Sequence, residues 1–206
     1  DLKRLEEISN SLNHDLEIMI RFTPGIECHT HEYIRTGSFD SKFGFGIEYL
    51  NSLFQRISNT KHLKLNGLHA HIGSQIFELD PHKDLGEIMV SVILDAKKYG
   101  HYIEKLNVGG GLGIKYVEDD DPPSIDEWVR TISTSVLKAC NKHNLDLPTL
   151  MCEPGRSIVS TAGITIYKIG AFKEIPGIRT YLSVDGGMSD NPCLLYTSPS
   201  PRDDEL

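Results

Sequence analysis

The sequence has 206 residues, 39% of them hydrophobic and 24% charged, with 18 Gly and 10 Pro, a composition that excludes a collagen, a coiled coil and a mostly disordered chain. With 21 basic against 29 acidic residues, the net charge of −8 argues against nucleic acid or an anionic membrane surface as partner and favours a small molecule or a protein. Cys28, Cys140, Cys152 and Cys193 form no C-x-x-C pair, so neither a zinc ribbon nor a disulfide framework is indicated, and a reducing, cytoplasmic compartment is expected. No apolar run reaches the roughly 18 residues of a membrane span, and the N-terminal residues hold no apolar signal core. Residues 203–206 imitate an ER-retention signal, which is discounted because no entry signal accompanies it.

In chain order, Leu2, Leu5, Ile8 and Leu12 recur at helical spacing and predict a helix over 2–12. Residues 16–22 (LEIMIRF) read as a strand stopped by Pro24 and Gly25. A polar loop containing HTHEYIRTG and DSKFGFG follows, then a helix from about 47 to 57. The pattern repeats: strand 65–73, helix around 85–99, strand 103–111, an acidic Pro-containing loop, helix 124–143 and strand 149–155. Strands alternating with helices predict βαβ units and a parallel sheet.

All four strands end in residues of functional type: Pro24-Gly25, His71-Ile72-Gly73-Ser74, Gly109-Gly110-Gly111 and Glu153-Pro154-Gly155-Arg156. Chemistry gathered at the C-terminal ends of several strands is the habit of a barrel rather than of a doubly wound sheet. Four strands make half of one. The expected fold is therefore α/β: the C-terminal half of a (β/α)8 TIM-type barrel over residues 1–160, then the first strands of a β-rich second domain over 161–192. In that second part, 164–172 and 180–187 read as strands joined by the turn EIPGIR. Residues 193–206 (CLLYTSPSPRDDEL) are expected to be an unrelated or disordered tail.

Taken residue by residue, the candidate chemistry leaves alternatives open. The run Gly109-Gly110-Gly111-Leu112-Gly113 lets backbone N–H groups approach a phosphate, or is a plain tight turn. It does not fit the dinucleotide fingerprint, since Ile114 stands where the third glycine belongs. Glu153 and Arg156 flank a Pro-Gly turn; Arg156 suits a phosphate or carboxylate and Glu153 a protonated ring nitrogen, or the two form a local ion pair. His69 and His71, two apart in a predicted strand, are readable as a metal pair, as core histidines or as imidazoles stacked on an aromatic ligand. His29 and His31 carry the metal reading more weakly. Lys42 is either a cofactor-anchoring lysine or a solvated loop lysine, and nothing near it in sequence implies the desolvation the first role needs.

The motifs HIGSQ (71–75), NVGGGLG (107–113) and CEPGR (152–156), in this order at strand ends, resemble the alanine-racemase-type, fold type III pyridoxal-phosphate-dependent decarboxylases. Within that superfamily, HTHEYIRTGSFDSKFG (29–44) and EIPGIRTYLSVDGGMSDNP (174–192) are similar to the diaminopimelate decarboxylases, and the likeness covers residues 1–192. The resemblance implies pyridoxal 5'-phosphate as cofactor and no metal. It implies that His71 stacks on the pyridine ring with Ser74 close by, and that Gly109, Gly110, Gly111 and Arg156 bind the phosphate beside the turn at Pro154 and Gly155. Glu153 would keep the ring nitrogen protonated, which makes the ring an electron sink. His71 and Glu153 are thus the implied catalytic residues, Arg156 also meets the substrate carboxylate, and 185–187 lead into a substrate-binding stretch.

The implied reaction is decarboxylation of meso-2,6-diaminopimelate to L-lysine and CO2, the last step of lysine synthesis, by a full-length homodimer. The family's cofactor-anchoring lysine falls before Asp1; Cys193 and Thr197 stand where the family has Arg and Tyr; its general-acid cysteine falls later. These 206 residues are accordingly expected to be an internal fragment, inactive by itself. The alternatives are a related decarboxylase of arginine, ornithine or carboxynorspermidine, a non-catalytic pyridoxal-phosphate-binding relative, and a sugar-phosphate barrel enzyme, which would leave Glu153 without a role.

Overall fold

Five short strands lie side by side and all run the same way. A computed structural model describes residues 2–26, 42–116, 118–187 and 189–191. Cys28, His29, His31, Cys193, Thr197 and the tail 193–206 lie outside the described residues. The chain divides into two compact units, residues 1–114 with 121–158, and residues 115–120 with 159–206.

The first unit contains α1 (Leu2–Leu12), β1 (Leu16–Thr23), β2 (Phe45–Gly46), α2 (Ile47–Ser58), β3 (Leu63–His69), α3 (Asp80–Lys98), β4 (Lys105–Asn107), α4 (Ile125–Lys142) and β5 (Thr149–Met151). The sheet order is β2-β1-β3-β4-β5, and every pairing is parallel. From β1 onward each step to the next main strand passes through a helix, the α/β arrangement expected, consistent with part of a (β/α)8 barrel.

The helices follow the apolar period of their sequences. α2 buries Leu50, Phe54 and Ile57; α3 buries Leu85, Met89, Val92, Ile93 and Ala96 among others; α4 buries Trp128, Ile132, Val136, Ala139 and Cys140. They close on Ile20, Phe22, Leu68 and Leu106 of the sheet to form one core. Each fully buried large side chain contributes about 1.5–3 kcal/mol of hydrophobic stabilisation before entropy is counted. α3 and α4 approach closely where Gly86 faces Ser135, whose hydroxyl donates to the Lys83 carbonyl at 2.6 Å.

Several boundaries differ from the expectation for physical reasons. β3, β4 and β5 stop at His69, Asn107 and Met151, short of the predicted 73, 111 and 155. Beyond β3 and β4, glycines take positive φ (Gly73 at 153°, Gly109 at 69°, Gly111 at 108°), which no strand accommodates. β2 falls in the predicted polar loop, since two residues carry no period, and pairing with Phe22 and Thr23 makes it. α3 starts at Asp80, five residues early, because Pro81 in the first turn is compatible with helix entry. Cys140 is buried, Cys152 is exposed, and both are free thiols.

In the second unit β6 (Ile169–Ile175) and β7 (Arg179–Val184) form an antiparallel hairpin whose strands are exposed along nearly their whole length. β6 begins five residues later than expected, and Asp185 caps that start by accepting a hydrogen bond from the Lys168 N–H at 2.8 Å. Among the described residues, no helix is long and apolar enough to cross a membrane.

Candidate functional site

Because β3, β4 and β5 are parallel, the segments that follow them, 70–76, 108–114 and 152–156, leave the same edge of the sheet. They surround a cavity of about 270 Å³ lined by His71, Ser74, Gln75, Gly110, Gly111, Glu153, Pro154, Gly155 and Arg156, with Trp128 and Val129 of α4 alongside. That volume lies near the lower end of small-molecule sites, about 300–1,000 Å³. Nearly all the candidate residues read from sequence therefore meet in one place. Gly109 is the exception in detail, standing just behind the wall with its carbonyl accepting from the Glu153 N–H at 2.7 Å.

The glycine run is required by packing as well as conformation. A Cβ on Gly110 would collide with the Glu153 carbonyl oxygen, and one on Gly109 would stand 2.7 Å from His71 Nδ1. The run thus packs against the Glu153 and Gly73 backbone and against the His71 side chain, with no room for a Cβ at Gly109, Gly110 or Gly111.

His71 lies beyond the end of β3, not within it, so it does not share a strand face with His69. The Gly110 N–H donates to His71 Nδ1 at 3.2 Å, which places the proton of the neutral ring on Nε2. Burial pushes the His71 pKa below its ordinary value, and the Arg21 charge pushes the same way. The ring is therefore flat and uncharged at neutral pH. His69 Nε2 stands 3.5 Å from Glu153 Oε1, too long for a good hydrogen bond; burial lowers its pKa and Glu153 opposes the shift. Among the described residues no three His, Cys, Asp or Glu side chains gather in a metal-holding group.

Glu153 is oriented from an unexpected direction. Asn107 Nδ2 donates to Glu153 Oε1 at 2.8 Å, while Asn107 Oδ1 accepts from the Gly109 N–H at 2.9 Å. One amide thereby ties the carboxylate to the glycine run. Arg156 forms no ion pair with Glu153; its Nη1 lies 3.5 Å from Gln75 Oε1. The local ion-pair alternative is thus not what the structure contains. Lys42 is exposed, its Nζ 5.1 Å from the centre of the Phe43 ring, in keeping with the solvated reading.

Three further residues escaped the sequence reading as individuals. Asn107 and Gln75 sit at the ends of the motifs NVGGGLG and HIGSQ, and their polarity at the rim of a glycine-rich turn was the available signal. His82 had none. It is fully buried behind Gly111, edge-on to Trp128 with ring centres 5.6 Å apart, and neither ring nitrogen has a partner among the described residues.

Comparison with known proteins agrees with this geometry. Residues 1–160 match the family model described as pyridoxal-dependent decarboxylase, pyridoxal binding domain. Diaminopimelate decarboxylase from Synechocystis sp. is 54% identical over 192 residues, covering 93% of this chain and 41% of that protein. The Bacillus subtilis diaminopimelate decarboxylase is 39% identical over 194 residues, 93% of this chain and 44% of its own length. The crystal structure of diaminopimelate decarboxylase from Helicobacter pylori complexed with L-lysine superposes with a TM-score of 0.80 at 29% identity, covering 98% of this chain and 50% of that one. The chain spans less than half the length of the curated relatives it matches. The resemblance carried by HIGSQ, NVGGGLG and CEPGR is borne out, and the chain belongs to the pyridoxal-dependent decarboxylase family through its pyridoxal-binding domain.

Proposed function

We propose that the protein carrying this sequence is a pyridoxal-5'-phosphate-dependent decarboxylase that converts meso-2,6-diaminopimelate to L-lysine and CO2. The observation that carries the proposal is the convergence of the glycine run, His71, Glu153 and Arg156 on one cavity, in a chain 54% identical over 192 residues to a diaminopimelate decarboxylase. A homodimer in the cytoplasm is part of the same reading.

The residues present fit the cofactor. The backbone at Gly109, Gly110 and Gly111 is packed so closely against the facing loops that none of the three admits a Cβ, and the donor set supplies one cation, one oriented carboxylate and one neutral flat ring. Gly109, Gly110, Gly111 and Arg156 would hold the phosphate, with Pro154 and Gly155 shaping the turn that presents Arg156 and with Ser74 nearby. His71 would lie against the ring, and its lowered pKa keeps an added positive charge away from it. Glu153 would accept the ring N–H, its remaining freedom reduced by Asn107. When bound, pyridoxal phosphate supplies the electron sink for the pair released as CO2 departs. Arg156 would also meet the substrate carboxylate.

The test is CO2 release by the protein carrying this sequence, supplied with pyridoxal phosphate and offered meso-diaminopimelate, L-arginine, L-ornithine or carboxynorspermidine. Diaminopimelate is expected to be the preferred substrate by kcat/KM. Preference for one of the other amines would reassign the substrate, and cofactor binding without turnover of any of them would make the protein a non-catalytic relative.

A further inference from the structure

Asn107 is the last residue of β4 and is 8% exposed, whereas the Glu153 side chain that it holds is 51% exposed and stands two residues past the end of β5. The backbone at Asn107 is fixed from both sides: its carbonyl accepts from the Ala70 N–H at 3.0 Å, and the N–H of the next residue, Val108, donates to the Met151 carbonyl at 3.0 Å. A buried, well-anchored residue thus grips a carboxylate that the sheet itself does not hold.

Two hydrogen bonds define what the amide does. Nδ2–H donates to Glu153 Oε1 at 2.8 Å, and Oδ1 accepts from the Gly109 N–H at 2.9 Å. A carboxylate only accepts and a backbone N–H only donates, so the two partners fix which end of the amide faces which. The bond to Gly109 spans two residues and closes an Asx turn, which a serine hydroxyl also forms, more weakly. The bond to Glu153 needs the longer reach of the amide nitrogen and its proton. The side chain at 107 therefore has two separable roles, shaping the entry of the glycine run and holding a carboxylate.

The second role has a physical consequence for a ligand. A glutamate side chain has several rotatable bonds, and any contact made through it must offset the freedom lost on ordering. The amide orders the carboxylate before a ligand arrives. Because it is neutral, it does so without a positive charge that would compete with a cationic N–H for the same carboxylate.

We propose that Asn107 is the positioning residue for recognition of the cofactor's ring nitrogen, ordering the Glu153 carboxylate as the acceptor of the ring N–H from an anchor in the glycine run. The proposal rests on the cofactor reading above. It assigns Asn107 no contact with the reacting atoms.

Pyridoxal phosphate and its 1-deaza analogue, in which C–H replaces the ring nitrogen, share the phosphate, the hydroxyl and the aldehyde, so their relative affinity isolates recognition of the nitrogen. Dissociation constants for both are measured by absorbance titration of the full-length protein stripped of cofactor. The proteins compared are wild type, Asn107→Ser, Asn107→Leu, Glu153→Gln and the double variant carrying Asn107→Ser and Glu153→Gln. Serine keeps an oxygen for the Gly109 N–H and is too short to reach Glu153; leucine keeps the volume and makes neither bond. The wild type is expected to prefer pyridoxal phosphate. Asn107→Ser should reduce that preference about tenfold, the scale of one charge-assisted contact, with affinity for the analogue nearly unchanged. Asn107→Leu should lower the ratio to a similar extent while weakening both ligands, and it decides the matter if the serine variant does not fold. In the Glu153→Gln background, Asn107→Ser should change the ratio no further, because the residue acts through that carboxylate. An unchanged ratio in the Asn107 variants, equal weakening of both ligands, or a further loss in the double variant would overturn the positioning role and leave the cofactor reading standing. Equal affinity of the wild type for the two ligands would overturn the assignment of Glu153 to the ring nitrogen and this inference with it.

Discussion

A histidine shut away from water must stay neutral or bring a partner, and His82 does the first. Burial, with a smaller contribution from the charge on His71, lowers its pKa from 6.5 to about 4. The unfolded chain therefore takes up a proton near pH 6.5 that the folded protein refuses until about pH 4. The stabilisation is complete above pH 6.5, declines as the pH falls, and is lost below about 4; the interval corresponds to something on the order of 3 kcal/mol. Urea unfolding midpoints of wild type and His82→Phe, compared across this range, should diverge at pH 7 less than they converge or cross on acidification, with the variant showing the shallower slope. Phenylalanine keeps the edge-on contact with Trp128. Identical slopes would show that His82 does not titrate in this window.

At this scale the sequence was informative about which residues matter and silent about what holds them. His71, Glu153 and Arg156 are legible because unusual residue types follow apolar strands. Their supports are not, because the Asn107 contact to Glu153 spans 46 positions and the Gln75 contact to Ile114 spans 39. Local pattern contains no term for such distances.

Among the elements, helices with a clean apolar period were read almost to the residue. α1 runs over 2–12 as expected, and α4 begins where Ser124 and Glu127 form a reciprocal capping box, the Ser124 hydroxyl accepting from the Glu127 N–H at 3.2 Å and the Glu127 carboxylate accepting from the Ser124 N–H at 2.8 Å. This cap fixes the start of the helix that brings Trp128 and Val129 to the cavity. Ser124→Ala should cost on the order of 1 kcal/mol of stability, read from the denaturant midpoint; a change within error would mean that water satisfies the freed N–H groups equally well. The short strands resisted prediction for a different reason. β2, β4 and β5 have two or three residues each, so their existence is decided by what lies beside them in the sheet.

For the molecule as a whole, the two units differ in how their hydrogen bonds are protected. β3 and β4 are covered by the helices and contain fully buried Leu68 and Leu106, whereas Phe172 and Leu182 of the hairpin are exposed. In the 206-residue chain, amide hydrogen exchange should accordingly be slow for β3 and β4 and faster by orders of magnitude for β6 and β7. Equal protection would mean that the hairpin faces are covered in solution. The alternation of strands and helices made the α/β class readable from sequence, because it is a repeated signal; the hairpin start was less so, since residues 164–167 share its apolar composition and lie outside its ladder.

The backbone contact at Gly110 also bears on how such a site can change over time. Any side chain there would push into the main chain of Glu153, so the wall nearest Glu153 and His71 has no mutational room at that position. On α4, by contrast, Ile125 and Val129 line the cavity with partly exposed side chains and leave room for variation. Selection for a new substrate would thus find room on that helix face while the glycine run opposite stays frozen.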